Sequence, residues 1–342
     1  MSGDAPVLAL DSHVDIRWPN PPDPHVEGPM RVDFPKMERG GLRAVVFIAY
    51  VPQARRDAAG HAAADARAEA MLRHIRDRAD GVARRFCATA AEVEAAAEAG
   101  ALAVLSAVEN GYAMGGDLGA VARWRALGAC YLTLTHDGHN DLADSARPRQ
   151  ALGDVEAEHG GLSALGREAV GALNRAGMMV DVSHVSKAGM LQAAEVSRSP
   201  VVATHTACRA LRDHPRAIDD EQLDALRRVG GLVQVTAVSA FLRAPPPGPG
   251  GGPPVANAAI EASVEDMADH VDHAVRRIGV EHVGVSSDFD GGGGLRGWEN
   301  AAETGGLTAA LRARGYGPRE VGLLWSGNFL RVMRAAEAVA AE

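Results

Sequence analysis

Eight short apolar runs recur along the chain, and stretches in which apolar residues recur at helical spacing lie between them. The runs are rich in β-branched residues and almost continuously apolar, which is typical of parallel strands covered on both faces. A one-sided antiparallel sheet would alternate apolar and polar positions instead. The predicted strands are residues 7–13, 42–50, 102–109, 130–136, 178–184, 200–205, 231–238 and 282–288.

The segments between these runs have recognisable helix ends. One segment begins with a capping-box pattern, Thr89 and Glu92, and ends at Gly100. Another, DDEQLDALRRVGG, has acids at its start and arginines at its end, which complements the helix dipole. Strands alternating with helices favour a (β/α)8 TIM barrel, with a doubly wound open sheet as the alternative. No GxGxxG follows the first run, which weakens a dinucleotide-binding version of that alternative.

The chain has one low-complexity segment, PPPGPGGGPP, at residues 245–254. It lies between the seventh predicted strand and the helix that follows, so we interpret it as a surface loop and not as a domain linker. No internal repeat is evident in the sequence. We therefore expect a single barrel domain over residues 1–342.

Composition and charge narrow the class of protein. A hydrophobic content of 46% with 23% charged residues is ordinary for a globular protein. A net charge of −9 argues against nucleic acid and against a membrane surface as partners. Three cysteines without CxxC spacing fit a reducing compartment. Since no signal peptide or bilayer-length apolar run is evident, we expect a cytoplasmic protein.

Ionisable residues stand at the carboxyl ends of six of the eight predicted strands, where the active sites of (β/α)8 barrels lie. Such side chains are costly in a buried apolar run unless they are paired or bound to metal. A single histidine at a strand end would most simply be a hydrogen-bonded core residue. Six strand ends that all carry ionisable residues and meet at one rim instead favour a functional site. The residues are His13 with Asp15, Glu109, His136, His184, His205 and Asp288.

Two His-x-Asp patterns occur, and only one lies at a strand end. His13 and Asp15 alternate along a strand and therefore share a face. His139 and Asp141 follow the fourth run by three or more residues, in a polar stretch. We assign the metal pair to His13 and Asp15. We interpret His139 as a solvated loop histidine, near the substrate at most.

The candidate ligands exceed what one tetrahedral zinc with an open position requires. Three histidines with Asp15 and Glu109 suit two metal ions that share a bridging carboxylate. Imidazole and carboxylate favour zinc, with manganese, iron or cobalt as alternatives. The two lysines, Lys36 and Lys187, are not placed at a strand end where a modified lysine could bridge the ions. Glu109, which ends the third predicted strand, is the predicted bridge.

The chain resembles the bacterial branch of the membrane dipeptidase (renal dipeptidase) family of zinc metallopeptidases. The resemblance covers most of the chain and rests on the order and spacing of short motifs, each weak alone. These motifs are DSHVD, VENG, YLTLTH, NDLADS, HGGLSALGREAV, DVSHVS, ATHTACRALRDHPR, SSDFDG and GNFLRV. The resemblance implies that His13 and Asp15 bind one zinc ion. It further implies that His184 and His205 bind the other, and that Glu109 bridges both.

The resemblance also implies roles for residues that bind no metal. His136 would contact the substrate and stabilise the tetrahedral oxyanion, Arg216 would bind the substrate's terminal carboxylate, and Asp288 would shuttle the proton. From the residues alone, Arg216 is a solvated or helix-capping charge and Asp288 a cap. Asp290 is interpreted as a cap or as a partner of a metal-binding histidine. The glycines at 291–294 carry only a weak signal for phosphate binding.

Three positions depart from the family pattern. Val14 and Ala217 stand where many members carry asparagine, and His139 stands where bacterial relatives often carry asparagine. Since no predicted metal ligand is lost, we expect an active enzyme. The resemblance implies a dipeptidase that tolerates a D-residue on the C-terminal side. We expect these three departures to affect the substrate preference and not the metal site.

Two alternative functions remain open. One is an amidohydrolase that acts on a lactam, a cyclic amide or a dipeptide-like amide through the same metal site. The other is a non-catalytic barrel that serves as a binding or scaffold protein, which the intact set of ligands disfavours. The family resemblance is compatible with a homodimer. We do not expect the membrane in the family's name to carry over, because neither a signal peptide nor a hydrophobic anchoring tail is evident in this sequence.

Overall fold

The computed structural model describes residues 7–246 and 260–340. Within these residues, nine strands form one sheet in which all of the pairings are parallel. The order is β1-β2-β4-β5-β6-β7-β8-β9, with β3 paired to β4 beside this path. The strands are β1 (Ala9–Asp15), β2 (Leu42–Tyr50), β3 (Arg84–Phe86), β4 (Leu102–Glu109), β5 (Ala129–Thr133), β6 (Met179–Asp181), β7 (Val202–Thr206), β8 (Leu232–Thr236) and β9 (Val283–Ser286).

The chain after β9 closes the sheet against β1. The Asp288 N–H donates to the carbonyl of His13 at 3.1 Å, and the Asp15 N–H donates to the carbonyl of Phe289 at 2.9 Å. These bonds continue the parallel pairing around the ring. The eight strands other than β3 therefore form the expected (β/α)8 barrel, and the open-sheet alternative is wrong.

Helices cover the outside of the barrel. They are α1 (Phe34–Gly40), α2 (Ala58–Asp77), α3 (Ala90–Glu98), α4 (Gly119–Ala126), α5 (Ala164–Ala176), α6 (Lys187–Val196), α7 (Asp220–Arg228), α8 (Ser239–Leu242), α9 (Val264–Ile278), α10 (Thr304–Ala313), α11 (Pro318–Gly322) and α12 (Asn328–Ala340). The predicted capping box of Thr89 and Glu92 is present at the start of α3. Helix α5 ends at Gly177, whose φ of 67° suits glycine.

The eight barrel strands are buried on both faces, as their apolar runs predicted. In β2, Val45 and Phe47 join one cluster of the core, whereas Val46 and Ile48 join the other. Within the described residues, no helix combines the length and apolar character that a membrane span requires. Residues 247–254 of the predicted surface loop lie outside the described part of the chain.

Two predictions about strands were wrong. Strand β3, three residues long, was missed; it pairs with the first half of β4, and β5 pairs with the second half. The fourth, fifth and eighth predicted strands also end earlier than expected, so His136, His184 and Asp288 lie in loops. His184 and Asp288 adopt φ values of 65° and 58°, a left-handed conformation that is incompatible with a strand.

Candidate active site

The loops at the carboxyl end of the barrel surround a cavity of about 490 Å³. Strand β1 supplies Asp15 and β4 supplies Glu109, while β7 supplies His205. The loops after β5, β6, β7 and β9 contribute the remaining lining residues of the predicted set. These are His136, His184, Arg216 and Asp288.

Glu109 lies at the centre of the histidines, and its two carboxylate oxygens face different ones. Oε2 lies 3.7 Å from Nε2 of His13, whereas Oε1 lies 3.4 Å from Nε2 of His184 and 3.3 Å from Nε2 of His205. Burial alone would raise the pKa of Glu109, but His13 and the other imidazoles hold it well below its usual value. Glu109 is therefore an anion placed between two groups of ligands.

The carboxylates of Asp15 and Asp288 join His13 on one side of Glu109. The possible ligand atoms of these three residues lie within 4.8 Å of one another. Burial and the charge of Glu109 raise the pKa of Asp15 well above its usual value. A Cβ at Gly291 would overlap both carboxylates, so the close approach of the chain requires glycine there.

His13 shows that this side of the site is built for a cation. Tyr131 donates its hydroxyl hydrogen to the carbonyl of Ser12 at 2.8 Å, so at 2.9 Å it accepts a hydrogen from Nδ1 of His13. Nε2 of His13 is then left buried without a hydrogen-bond partner, and it faces a carboxylate oxygen. Burial opposes protonation, yet the nearby carboxylates raise the pKa of His13 to about 9. The donor set, imidazole with carboxylates around a buried nitrogen, fits a divalent metal ion.

The other two histidines are oriented in the same manner. Nδ1 of His184 lies 3.2 Å from the carboxylate of Asp137. Nδ1 of His205 lies 2.9 Å from the hydroxyl of Thr204, which donates to Asp181 at 2.7 Å. Each ring thus donates through Nδ1 and presents Nε2 to Glu109, an arrangement that holds metal-binding histidines in the correct tautomer. Burial, reinforced by His13, lowers the pKa of His205 well below its usual value, so its ring is neutral.

His136 and Asp288 have pKa values shifted in opposite senses. Burial, with His184 beside it, lowers the pKa of His136 to about 3. The neutral ring packs 4.1 Å from that of His184 and 4.8 Å from that of Tyr50, measured between centroids. Burial and Glu109 raise the pKa of Asp288 to about 6, against the opposing charge of His13. Asp288 is therefore a carboxyl group able to exchange a proton near neutral pH.

Arg216 is a buried cation in the cavity wall. Its guanidinium donates one hydrogen bond to the carbonyl of His205 at 3.0 Å and lies 5.3 Å from the ring centre of Phe241. Its Nε is buried without a hydrogen-bond partner. Burial lowers its pKa, while nearby acids oppose that shift. The group fits an anionic part of a ligand.

The second His-x-Asp pattern lies outside this site. His139 is 1% exposed, so its interpretation as a solvated loop residue was wrong. Its Nδ1 accepts the Ser145 N–H at 2.9 Å, and its Nε2 lies 2.9 Å from the carbonyl of Val155. It is a structural residue of the loop after β5. Asp141 contacts His61 at 3.0 Å.

Asp290 was expected to cap its own segment or to support a histidine. Instead, its two carboxylate oxygens accept the backbone N–H of Arg31, at 3.1 Å and 2.9 Å. It therefore ties the loop after β9 to the loop after β1.

Several residues that orient the site were missed in the sequence. Tyr131, Asp137, Asp181 and Thr204 all hold histidines or their partners in place. Thr204 directly precedes His205 in the motif ATHT, and Asp181 stands three residues before His184 in the motif DVSHVS. A polar residue inside an otherwise apolar strand was the available signal.

Comparison with known proteins places this geometry in context. The model of the membrane dipeptidase family, peptidase family M19, matches residues 5–342. Dipeptidase verJ of Clonostachys rogersoniana is 33% identical over 90% of this chain and 76% of its own length. Further curated dipeptidases are matched over about half of their own length.

Solved structures are similar over nearly the whole chain. The probable dipeptidase PvdM from Pseudomonas aeruginosa is 27% identical, with a TM-score of 0.88 over 98% of this chain and 96% of that one. A metallopeptidase from Rhodobacter sphaeroides, liganded with a phosphinate mimic of the dipeptide L-Ala-D-Ala, is 27% identical. Its TM-score is 0.81, over 96% of this chain and 99% of that one.

Proposed function

The chain belongs to the membrane dipeptidase family, and from this membership and the geometry of its site we propose a binuclear zinc dipeptidase. As a family member it is a hydrolase of the metallo-dipeptidase class. The number of ions, their identity and the preferred dipeptide are our proposals. The observation that carries the proposal of two ions is Glu109, whose two oxygens face His13 on one side and His184 with His205 on the other.

In this proposal, His13 and Asp15 hold one ion, His184 and His205 hold the other, and Glu109 lies between them. Bound there, the ions would make a water molecule acidic enough to attack and would polarise the scissile carbonyl. Zinc is the preferred metal because imidazole and carboxylate donors suit it, and manganese, iron or cobalt could replace it.

The remaining steps fall to residues that bind no metal in this proposal. Asp288 takes the proton of the attacking water and passes it to the nitrogen of the leaving amine. A carboxyl group with a pKa of about 6 can do both near neutral pH. His136 has a neutral ring at the cavity wall, so it can donate an N–H to the oxygen that gains charge.

Arg216 sets the length of the substrate. Its planar guanidinium suits the terminal carboxylate of a peptide. Because it lies beside His205, it fixes the carboxylate about one residue from the carbonyl under attack. Dipeptides should therefore be cleaved and their C-terminal extensions should not. The relative from Rhodobacter sphaeroides, with its mimic of L-Ala-D-Ala, supports a D-residue on the C-terminal side.

The test is hydrolysis of a panel of L,L- and L,D-dipeptides, and of their tripeptide extensions, by the zinc-reconstituted protein. His205→Ala and Asp288→Ala serve as inactive controls. We expect turnover of dipeptides that both variants lose. Equal turnover of a dipeptide and its tripeptide would refute the role of Arg216. Two bound ions without turnover of any dipeptide would point to an amidohydrolase with another amide substrate, and absence of tight metal binding would refute the site.

A further inference from the structure

Besides Arg216, three arginines line the cavity that the proposed dipeptidase chemistry does not use. Arg17 is exposed, Arg147 pairs with Asp137, and the third is Arg67. Arg67, on α2, lines the same cavity as Glu109 and His136. Its Nε donates to the carbonyl of Tyr50 at 3.0 Å, which fixes the guanidinium at the end of β2. In the part of the chain that the structure describes, no ion pair joins Arg67 to an acid.

The charge of Arg67 is poorly compensated. Burial lowers its pKa, and among the described residues the group that opposes this shift is Tyr50 and not a carboxylate. Two acids of the same cavity are already engaged: Asp137 pairs with Arg147 at 2.9 Å, and Asp290 accepts the backbone N–H of Arg31. A partly buried guanidinium without an acid gains most from an anionic ligand.

Tyr50 places a second donor beside it. Tyr50 is the last residue of β2 and stands in register with Glu109 on β4. Burial raises the pKa of its phenol to about 12, so the hydroxyl keeps its hydrogen. Within the described residues that hydroxyl has no hydrogen-bond partner. Tyr50 also lines the cavity, next to the ring of His136.

Arg67 and Arg216 lie on opposite sides of the barrel. In the strand order, β2 and β7 are four steps apart in either direction around the eight-stranded ring. Arg67 is bound to the end of β2, and Arg216 is bound to His205 of β7. A dipeptide whose terminal carboxylate is on Arg216 and whose carbonyl is beside Glu109 therefore directs its N-terminal residue toward Arg67.

We propose that Arg67 and Tyr50 form a second anion-binding subsite, which selects dipeptides with an acidic side chain on the N-terminal residue. A dipeptide has only one terminal carboxylate, and in the proposed function Arg216 takes it. The anion for Arg67 is then the side chain of an aspartate or a glutamate. This inference rests on the proposed function, because it names a substrate class for the same site.

The test compares substrates that differ in charge and hardly in shape. We would measure kcat/KM for Glu-Ala against Gln-Ala and for Asp-Ala against Asn-Ala, with alanine in the configuration that the enzyme cleaves. The wild type should prefer the acidic member by about tenfold, a ratio that corresponds to about 1.4 kcal/mol. The preference should fall as salt is added, since the subsite is partly exposed.

Variants of the same helix separate the subsite from general effects. Arg67→Met keeps the aliphatic stem and removes the charge, so the ratio should fall to within about twofold of unity. Arg67→Glu should reverse the preference, so that Lys-Ala exceeds Glu-Ala. Arg73→Met on α2 removes an exposed arginine that pairs with Glu69, and it should leave the ratio unchanged.

The outcomes separate this inference from the proposed function. Turnover of Gln-Ala with a Glu-to-Gln ratio near unity in the wild type would overturn the subsite and leave the dipeptidase intact. A ratio that stays at about tenfold in Arg67→Met would also overturn it. If neither member of any pair is cleaved by the zinc-loaded protein, the proposed function fails and this inference fails with it.

Discussion

The phenol oxygen of Tyr131 accepts the Nδ1 hydrogen of His13 over 2.9 Å. Because the same hydroxyl donates to the carbonyl of Ser12, it cannot also donate to the imidazole. The contact therefore holds the ring so that Nδ1 faces Tyr131 and Nε2 faces Glu109. In metal sites such an outer contact typically changes metal affinity by about 10- to 100-fold.

We expect Tyr131→Phe to weaken one of two metal-binding steps by about 10- to 100-fold and to leave the other nearly unchanged. In the proposed site, only the ion that His13 would hold depends on this contact, since His184 and His205 are oriented by Asp137 and Thr204. Competition of the apoprotein with a chelator for zinc measures both steps.

Tyr316→Phe is the matched control, because its hydroxyl bonds Asp272 away from the cavity. It should leave both binding steps as they are in the wild type. Unchanged zinc affinity in Tyr131→Phe would show that the phenol does not orient His13.

The barrel was predictable because its signal is repeated. Eight continuous apolar runs leave few folds to choose among, and the ionisable residues after them point to one rim. Strand β3 was missed because its sequence, Arg84-Arg85-Phe86, has no apolar run and its residues are only half buried. Its pairing partner, the first half of β4, could not be identified from local pattern.

The site was predicted less completely than the fold. A short pattern such as His13-x-Asp15 can be read along one strand, whereas the contact of Tyr131 with His13 spans 118 positions. The burial of His139 also depends on a residue that is remote in sequence, because its partner Val155 lies 16 residues further along the same long loop. Loop residues carry no periodicity from which burial can be inferred.

A second prediction concerns the proton transfer assigned to Asp288. Asp288→Asn should lower kcat by about 10²- to 10⁴-fold, the range for loss of a general acid or base. Asparagine tolerates the φ of 58° at this position, so the backbone should persist. Metal content, measured by elemental analysis, should stay at the wild-type value.

Asp290→Asn is the matched control in the same turn. Asp290 also has a positive φ, of 65°, but its carboxylate accepts a backbone N–H. This substitution should lower kcat much less. If Asp288→Asn loses metal together with activity, Asp288 is a ligand beside His13 and Asp15 and not a proton carrier.

A third prediction tests the central carboxylate. Glu109→Gln keeps the shape but replaces one oxygen by an NH₂ group, which cannot act as a ligand. Because Oε1 and Oε2 face different histidines, the variant should lose at least one of two bound ions and most of its activity. The number of metal ions per chain that remain after dialysis measures this loss. Glu98→Gln, an exposed residue of α3, should retain the full metal content; equal retention by Glu109→Gln would refute the bridge.

A fourth prediction concerns the loop that surrounds His139. Asp144 is 1% exposed and accepts the backbone N–H groups of Glu158, His159 and Gly161 at 2.9–3.2 Å. Burial alone would raise its pKa, but these hydrogen bonds outweigh burial and hold the pKa below its usual value. Asp144→Asn loses the charge and one acceptor, so it should destabilise the fold by about 1–3 kcal/mol at pH 7.

The pH dependence of that loss has a definite sign. A carboxyl group whose pKa is lower in the folded state stabilises the fold above its unfolded pKa, about 3.9, and loses that effect as the pH falls through the folded value. The difference in unfolding free energy between wild type and Asp144→Asn should thus be constant from pH 7 to pH 5 and shrink below about pH 4. Urea unfolding at each pH measures this difference.

Asp213→Asn is the control. Because the side chain of Asp213 is 92% exposed, this substitution should change the free energy of unfolding by less than about 0.5 kcal/mol throughout. A difference that grows on acidification would mean that Asp144 is protonated in the fold, and that its contacts with the loop are not those of a carboxylate.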